Sequence, residues 1–123
     1  MIAHEVAHHV QTLLGTNAEV QRLTRDDPSL ANELSVRLEL QADRFAGVWA
    51  RSAQGAGILS PGDLEEGLNA AAAIGDDRIQ EATTGRIDPE SFTHGTSEQR
   101  VQWLRTGVQV GNPDACDTFA GDI

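Results

Sequence analysis

His4, Glu5 and His8 stand in the string His-Glu-Val-Ala-His near the start of the chain. On a helix, residues four apart project from the same face, since each step turns by about 100°. Two imidazoles so placed can hold one divalent cation as neighbouring ligands. Glu5, beside them, is set to act as general base on a water that the ion activates. The chemistry indicated is zinc-assisted hydrolysis; a surface helix with two exposed histidines is the plainer reading of the same string.

A zinc site that keeps one position open needs a third protein ligand. Glu39 and Asp43 are again four apart and share a face. Glu39 could complete the ligand set, and Asp43 could accept a hydrogen bond from the free ring nitrogen of a ligating histidine, fixing its tautomer. In so acidic a chain the same pair also reads as a solvated acidic face. His9 adjoins His8 but points about 100° away, so it flanks the site rather than joining it. His94, in Thr93-His94-Gly95-Thr96, could polarise a substrate carbonyl or stabilise an oxyanion; the alternative is a surface histidine. With Cys116 the only cysteine, an intrachain disulfide and a cysteine-rich zinc site are both excluded. Any metal must be held by histidines and carboxylates.

The elements that would position these groups read as helices. Ile2, Val6, Val10 and Leu13 recur at spacings of four and three and predict a helix over 1–14 that buries this stripe and presents its histidines to a cleft on the other face. Gly15 stops it. A short charged helix follows over 17–26, bounded near Asp27 because a residue before proline is pushed out of helical geometry. A long helix is expected over about 29–53, with Leu30, Leu34, Leu38, Phe45 and Trp49 as its apolar stripe. Ser60-Pro61-Gly62-Asp63 reads as a Ser N-cap with Pro at the first helical position, opening a helix to about Ile74. Gly75-Asp76-Asp77 breaks it, a short helix runs on to Ala82, and 83–95 reads as loop. Thr96 with Gln99 resembles a capping box for a last helix carrying Val101, Trp103 and Leu104 towards Gly107; the tail is turn-rich. Val108–Val110 is too short to count as a strand. The expected fold class is all-α, with the helix of His4 and His8 packed beside the long helix of Glu39 and Asp43.

The chain has 123 residues, fits a single domain, and carries a formal charge of −10 with nine basic residues, all Arg. Nucleic acid and an anionic membrane surface are poor partners for it, because both need clustered positive charge. No apolar run approaches the roughly 18 residues of a membrane span.

Four ordered blocks carry a resemblance: HEVAHHVQTLLG at 4–15, SVRLELQADRFAGVWA at 35–50, THGTSEQRVQWLRTG at 93–107 and CDTF at 116–119. Together they resemble the neutral zinc metallopeptidases of bacteria, a gluzincin-like family. The resemblance implies zinc (Zn2+) held by His4, His8 and Glu39, with Glu5 as catalytic base, Asp43 supporting a histidine ligand, and a functional role at His94. It implies a peptide or protein substrate. Members of that family are longer, with an N-terminal part that usually carries a membrane-anchoring helix. The chain is therefore read as one domain, 1–123, forming the C-terminal portion of such a protein, membrane-anchored or extracytoplasmic in a bacterium. A cysteine often follows the Asp of the second block in that family; here the position is Arg44, which removes a disulfide partner for Cys116. The alternatives are a catalytically silent zinc-binding or protein-interaction domain and a helical scaffold without metal.

Overall fold

Leu40 to Arg44 are five successive buried residues, which on a helix means that it is covered on every side. The computed structural model, which describes residues 2–123, places this run at the middle of the longest helix. In chain order the helices are α1 (Ile2–Leu13), α2 (Thr16–Asp26), α3 (Ala31–Gly55), α4 (Pro61–Ala73), α5 (Asp76–Thr84) and α6 (Ser97–Val110), with single 3-10 turns at Pro28–Leu30, Pro89–Ser91 and Pro113–Ala115. Among the described residues there is no strand, so the fold is all-α as expected. Met1, included in the predicted first helix, lies outside the described residues. The segment preceding α3 differs from expectation: Asp27 accepts from the Ser29 N–H, and Pro28–Leu30 form a 3-10 turn rather than the start of the long helix. The predicted caps are present. The Ser60 N–H donates to Asp63 Oδ2 at 2.9 Å, and Thr96 and Gln99 exchange reciprocal hydrogen bonds of 3.0 Å. Residues 83–84, expected as loop, complete α5, and Val108–Val110 complete α6.

α3 is the axis. α6 packs along one side of it, α1 along another, and α4 packs on α6. The α3–α6 crossing has no side chains at its centre. A Cβ added at Gly47 would lie 2.1 Å from the Leu104 carbonyl oxygen, and one added at Gly107 would lie 2.1 Å from that of Arg44. Glycine at both positions lets the two backbones touch. Around this point Ala46, Leu68, Ala71 and Leu104 form one apolar cluster, and Val36, Leu40 and Phe92 a second. The tail wraps α3: the Arg37 guanidinium donates to the carbonyls of Thr118 and Gly121, and the buried Thr118 hydroxyl donates back to the Arg37 carbonyl. Gly47→Ala is expected to cost about 1–3 kcal/mol, the range for overpacking, despite alanine's better helix propensity. A urea midpoint equal to that of the parent would show that the backbones are not in contact.

Arg44 and Cys116 face each other. Arg44 Nε donates to Cys116 Sγ at 3.1 Å, and the guanidinium carbon lies 5.8 Å from the Trp103 ring centroid. Burial pushes the Cys116 thiol pKa up, against the opposing pull of Arg44.

The orientation of α1 reverses the expectation. The predicted inward stripe is left to water: Ile2 is 83% exposed, Val6 54% and Leu13 73%, whereas His4, Ala7 and Gln11 are buried. Trp49 and Leu30, expected in the apolar stripe of α3, are also exposed. The physical reason is that the polar face of α1 meets a matching polar face of α3. His4 pairs with Asp43 and Glu39, while the Gln11 amide donates to the Leu38 carbonyl at 2.8 Å and to Gln41 Oε1 at 2.9 Å. With these buried polar groups paired, the desolvation penalty that normally keeps such a face outside is offset.

Candidate metal centre

The packing of α1 on α3 brings His4, His8 and Glu39 together, with one donor atom from each lying within 4.8 Å of the others. His4 Nε2 is 3.0 Å from Glu39 Oε2, His8 Nε2 is 3.0 Å from His4 Nε2, and His8 Nε2 is 3.3 Å from Glu39 Oε1. Donor atoms bound tetrahedrally to one zinc ion at about 2.0 Å lie about 3.3 Å from each other. Two imidazoles and one carboxylate are also a donor set suited to zinc. The residues therefore fit the ion that the sequence suggested.

Both rings are held from behind. His4 Nδ1–H donates to Asp43 Oδ1 at 2.8 Å, and His8 Nδ1–H donates to Gln11 Oε1 at 2.8 Å. The Gln11 amide orientation is fixed independently, because its nitrogen is committed to Leu38 and Gln41. With each Nδ1 tied outward, each Nε2 is left facing the shared centre. Burial disfavours the imidazolium form of His4, but the hydrogen bonds and charge of Asp43 and Glu39 outweigh it and raise its pKa to about 9. The Glu39 hydrogen bond outweighs burial at His8 and raises that pKa too. Burial alone would raise Glu39, yet the hydrogen bonds from His4 and His8 hold it well below the usual carboxylate range. A cation bound among the three groups would displace the protons they share, so its binding would release protons.

Asp43 is fully buried and would be costly to ionise alone. Its partner is Arg100 of α6, whose guanidinium donates through Nε to Oδ2 at 2.9 Å and through a terminal nitrogen to Oδ1 at 3.1 Å. A third N–H of Arg100 reaches the Ile74 carbonyl just beyond α4. Burial opposes the charge on Arg100, but Asp43 more than compensates. Sequence reading did not single out Arg100, Gln11 or Gln41. Gln11 carried a signal, three residues after His8 on the same helix; Arg100 carried none, lying 57 positions from its partner.

Glu5 is exposed on α1, next to His4; His9, read as flanking the site, is exposed and is not one of the three clustered groups. His94 is not one of the three clustered groups. Its loop is nonetheless held rigidly: Asp76 Oδ2 accepts from the backbone N–H groups of Thr93, His94 and Gly95 at 2.9, 2.7 and 3.0 Å. Ser35 of α3 donates to the Thr93 carbonyl, and Gly95 lies against Val36 and Leu40. The loop therefore runs along the stretch of α3 that precedes and includes Glu39. His94 Nδ1 engages Thr93 Oγ1 at 2.9 Å, and the ring is half exposed.

The chain is 56% identical over 124 residues to the uncharacterized protein YpfJ of Escherichia coli (strain K12), an alignment covering 100% of this chain and 43% of that protein. It is 46% identical over 130 residues to the uncharacterized protein Rv2575 of Mycobacterium tuberculosis, covering 98% of this chain and 43% of the relative. The chain thus spans less than half the length of the curated relatives it matches. No solved structure matches it. A family model described as "Putative neutral zinc metallopeptidase" matches residues 1–119, and the chain belongs to that family.

Proposed function

We propose that this chain holds one zinc ion through His4, His8 and Glu39 and hydrolyses peptide bonds. The observation that supports it most directly is the convergence of these three donors, with each histidine's other nitrogen occupied. When bound, zinc supplies acidification of a water towards a pKa of about 7 and polarisation of a carbonyl. Asp43, clamped by Arg100, and Gln11 hold the two imidazoles in the tautomer that presents Nε2. Glu5, exposed beside them, takes the proton of the attacking water and delivers it to the leaving amine. His94, fixed by Asp76 and Thr93, donates to the oxygen on which charge develops. A peptide or protein is the substrate class. Among the described residues no helix is long and apolar enough to cross a membrane.

The test is metal analysis of the chain purified without chelator. About one zinc per chain is expected from three side-chain ligands, with a melting temperature that rises on zinc addition, since a ligand at about 100 times its Kd stabilises by about 2.7 kcal/mol. Glu39→Gln should lower zinc affinity by at least 10-fold, as it removes the anionic ligand. Stoichiometry near zero with no thermal response refutes the zinc site. Parent-like affinity in Glu39→Gln assigns the third ligand elsewhere.

A further inference from the structure

The exposed apolar face of α1 is one wall of an open groove of 910 Å3. Ile2, Val6 and Leu14 line it from the first wall, Phe45 and Trp49 of α3 from the second, and Leu64 of α4 from the third. Ile2, Val6, Leu14 and Trp49 are each at least half exposed. Contiguous apolar surface of this kind marks a binding face. It is also what an amphipathic helix shows when the element meant to cover its apolar stripe is not packed on it.

The groove itself restricts what fits. Its walls are helices and, among the described residues, there is no sheet edge to pair with. An occupant buried there must satisfy its own backbone hydrogen bonds, which selects a helix over an extended peptide. A helix about 10 Å across fills the groove with about two turns. Carboxylates stand among the lining residues, Asp63 and Asp114, and the whole chain carries −10. A second copy would bring like charges together, whereas a helix with basic residues beside its apolar stripe would meet opposite ones. The relatives in E. coli and M. tuberculosis contain this whole unit, or nearly so, and more than half of each lies outside it. In those proteins a large stretch of polypeptide is tethered to this groove at high effective concentration.

We propose that the groove is the docking site for an amphipathic helix, apolar on one side and basic beside it, of the kind supplied in the longer relatives by the polypeptide outside the matched region. The groove adjoins the candidate metal centre, since His4 is among its lining residues, but the proposal rests on the exposed apolar side chains of α1 and α3 and holds whether or not zinc is bound.

The experiment fuses the unmatched part of the E. coli relative to this chain in its natural order and compares the fusion with the 123-residue chain, both carrying Trp103→Phe so that Trp49 is the reporter within this unit. In the chain alone, acrylamide should quench Trp49 freely; in the fusion, quenching should fall several-fold. Val6→Asp should leave the melting temperature of the chain alone within about 1 °C and lower that of the fusion by about 5 °C or more, as burying a carboxylate without a partner requires. Should the fusion fail to fold, an Asp at the matching position of the intact E. coli relative gives the same reading through its melting temperature. Equal quenching and equal Val6→Asp effects in both forms overturn the proposal. So does a stable dimer of the chain alone that shields Trp49 and is broken by Val6→Asp, which would make a second copy the occupant.

Discussion

Arg100→Met should destabilise the chain by about 3–5 kcal/mol, the range for removing one partner of a buried ion pair. Asp43 is 0% exposed and Arg100 3%, so water cannot replace the lost guanidinium, and two charge-assisted hydrogen bonds disappear together. Against a total stability of about 5–15 kcal/mol for a domain, this is a large fraction. The effect should reach the proposed zinc site. The guanidinium holds the carboxylate in place against His4 Nδ1–H, so without it Asp43 orients that ring less firmly and zinc affinity at the proposed site should fall about 10–100-fold. Arg100→Lys should recover only part of both losses, because an ammonium cannot make the bidentate contact. The double variant Asp43→Leu with Arg100→Met should be more stable than Arg100→Met alone, since the buried carboxylate that lost its guanidinium is removed as well. Chemical denaturation and competition with a zinc chelator measure the two effects. Parent-like stability in Arg100→Met would mean that His4 alone compensates the buried carboxylate of Asp43.

Glu5→Gln should reduce peptide hydrolysis by about 10²–10⁴-fold, the contribution of a general base, while leaving zinc content unchanged. The two quantities separate because Glu5 is not one of the clustered donors. It is exposed, so thermal stability should move by less than about 0.5 kcal/mol. His94→Ala should lower kcat more than it raises KM, as removal of a group acting on the transition state does. Zinc analysis and turnover of a casein substrate read both variants. Loss of zinc in Glu5→Gln would make Glu5 a ligand; retained zinc with parent-like turnover would place the base elsewhere. A parent that binds zinc and turns nothing over would favour the catalytically silent zinc-binding reading.

The site's principal groups were legible in the sequence because helical geometry is local. His4 and His8, and separately Glu39 and Asp43, are each set on one face by a spacing of four, whatever the rest of the chain does. Helix boundaries were legible for a related reason: Gly15, Pro61 with Ser60, and Thr96 with Gln99 act within a turn or two. Their hydrogen bonds are found at the expected residues.

What the spacing could not decide was which face of each helix would meet another. The apolar stripe of α1 identified a surface that burial would favour, yet α1 lies with His4, Ala7 and Gln11 against α3 and its stripe open. Periodicity reports the chemistry of a face; it does not report which partner is available to it. The polar face won because α3 offers Asp43, Glu39, Gln41 and the Leu38 carbonyl at matching heights, so that each buried donor and acceptor is paired. The same limit hid Arg100. Its pairing with Asp43 depends on α3 and α6 touching where Gly47 meets Gly107, and two glycines 60 residues apart become a contact only when the chain has folded. Sequence alone thus determined the donor types and their grouping on two helices. Tertiary packing decided that the groups converge within hydrogen-bonding distance, which charge stabilises them, and which face of α1 remains open to a partner, because each of these depends on contacts between residues far apart in the chain.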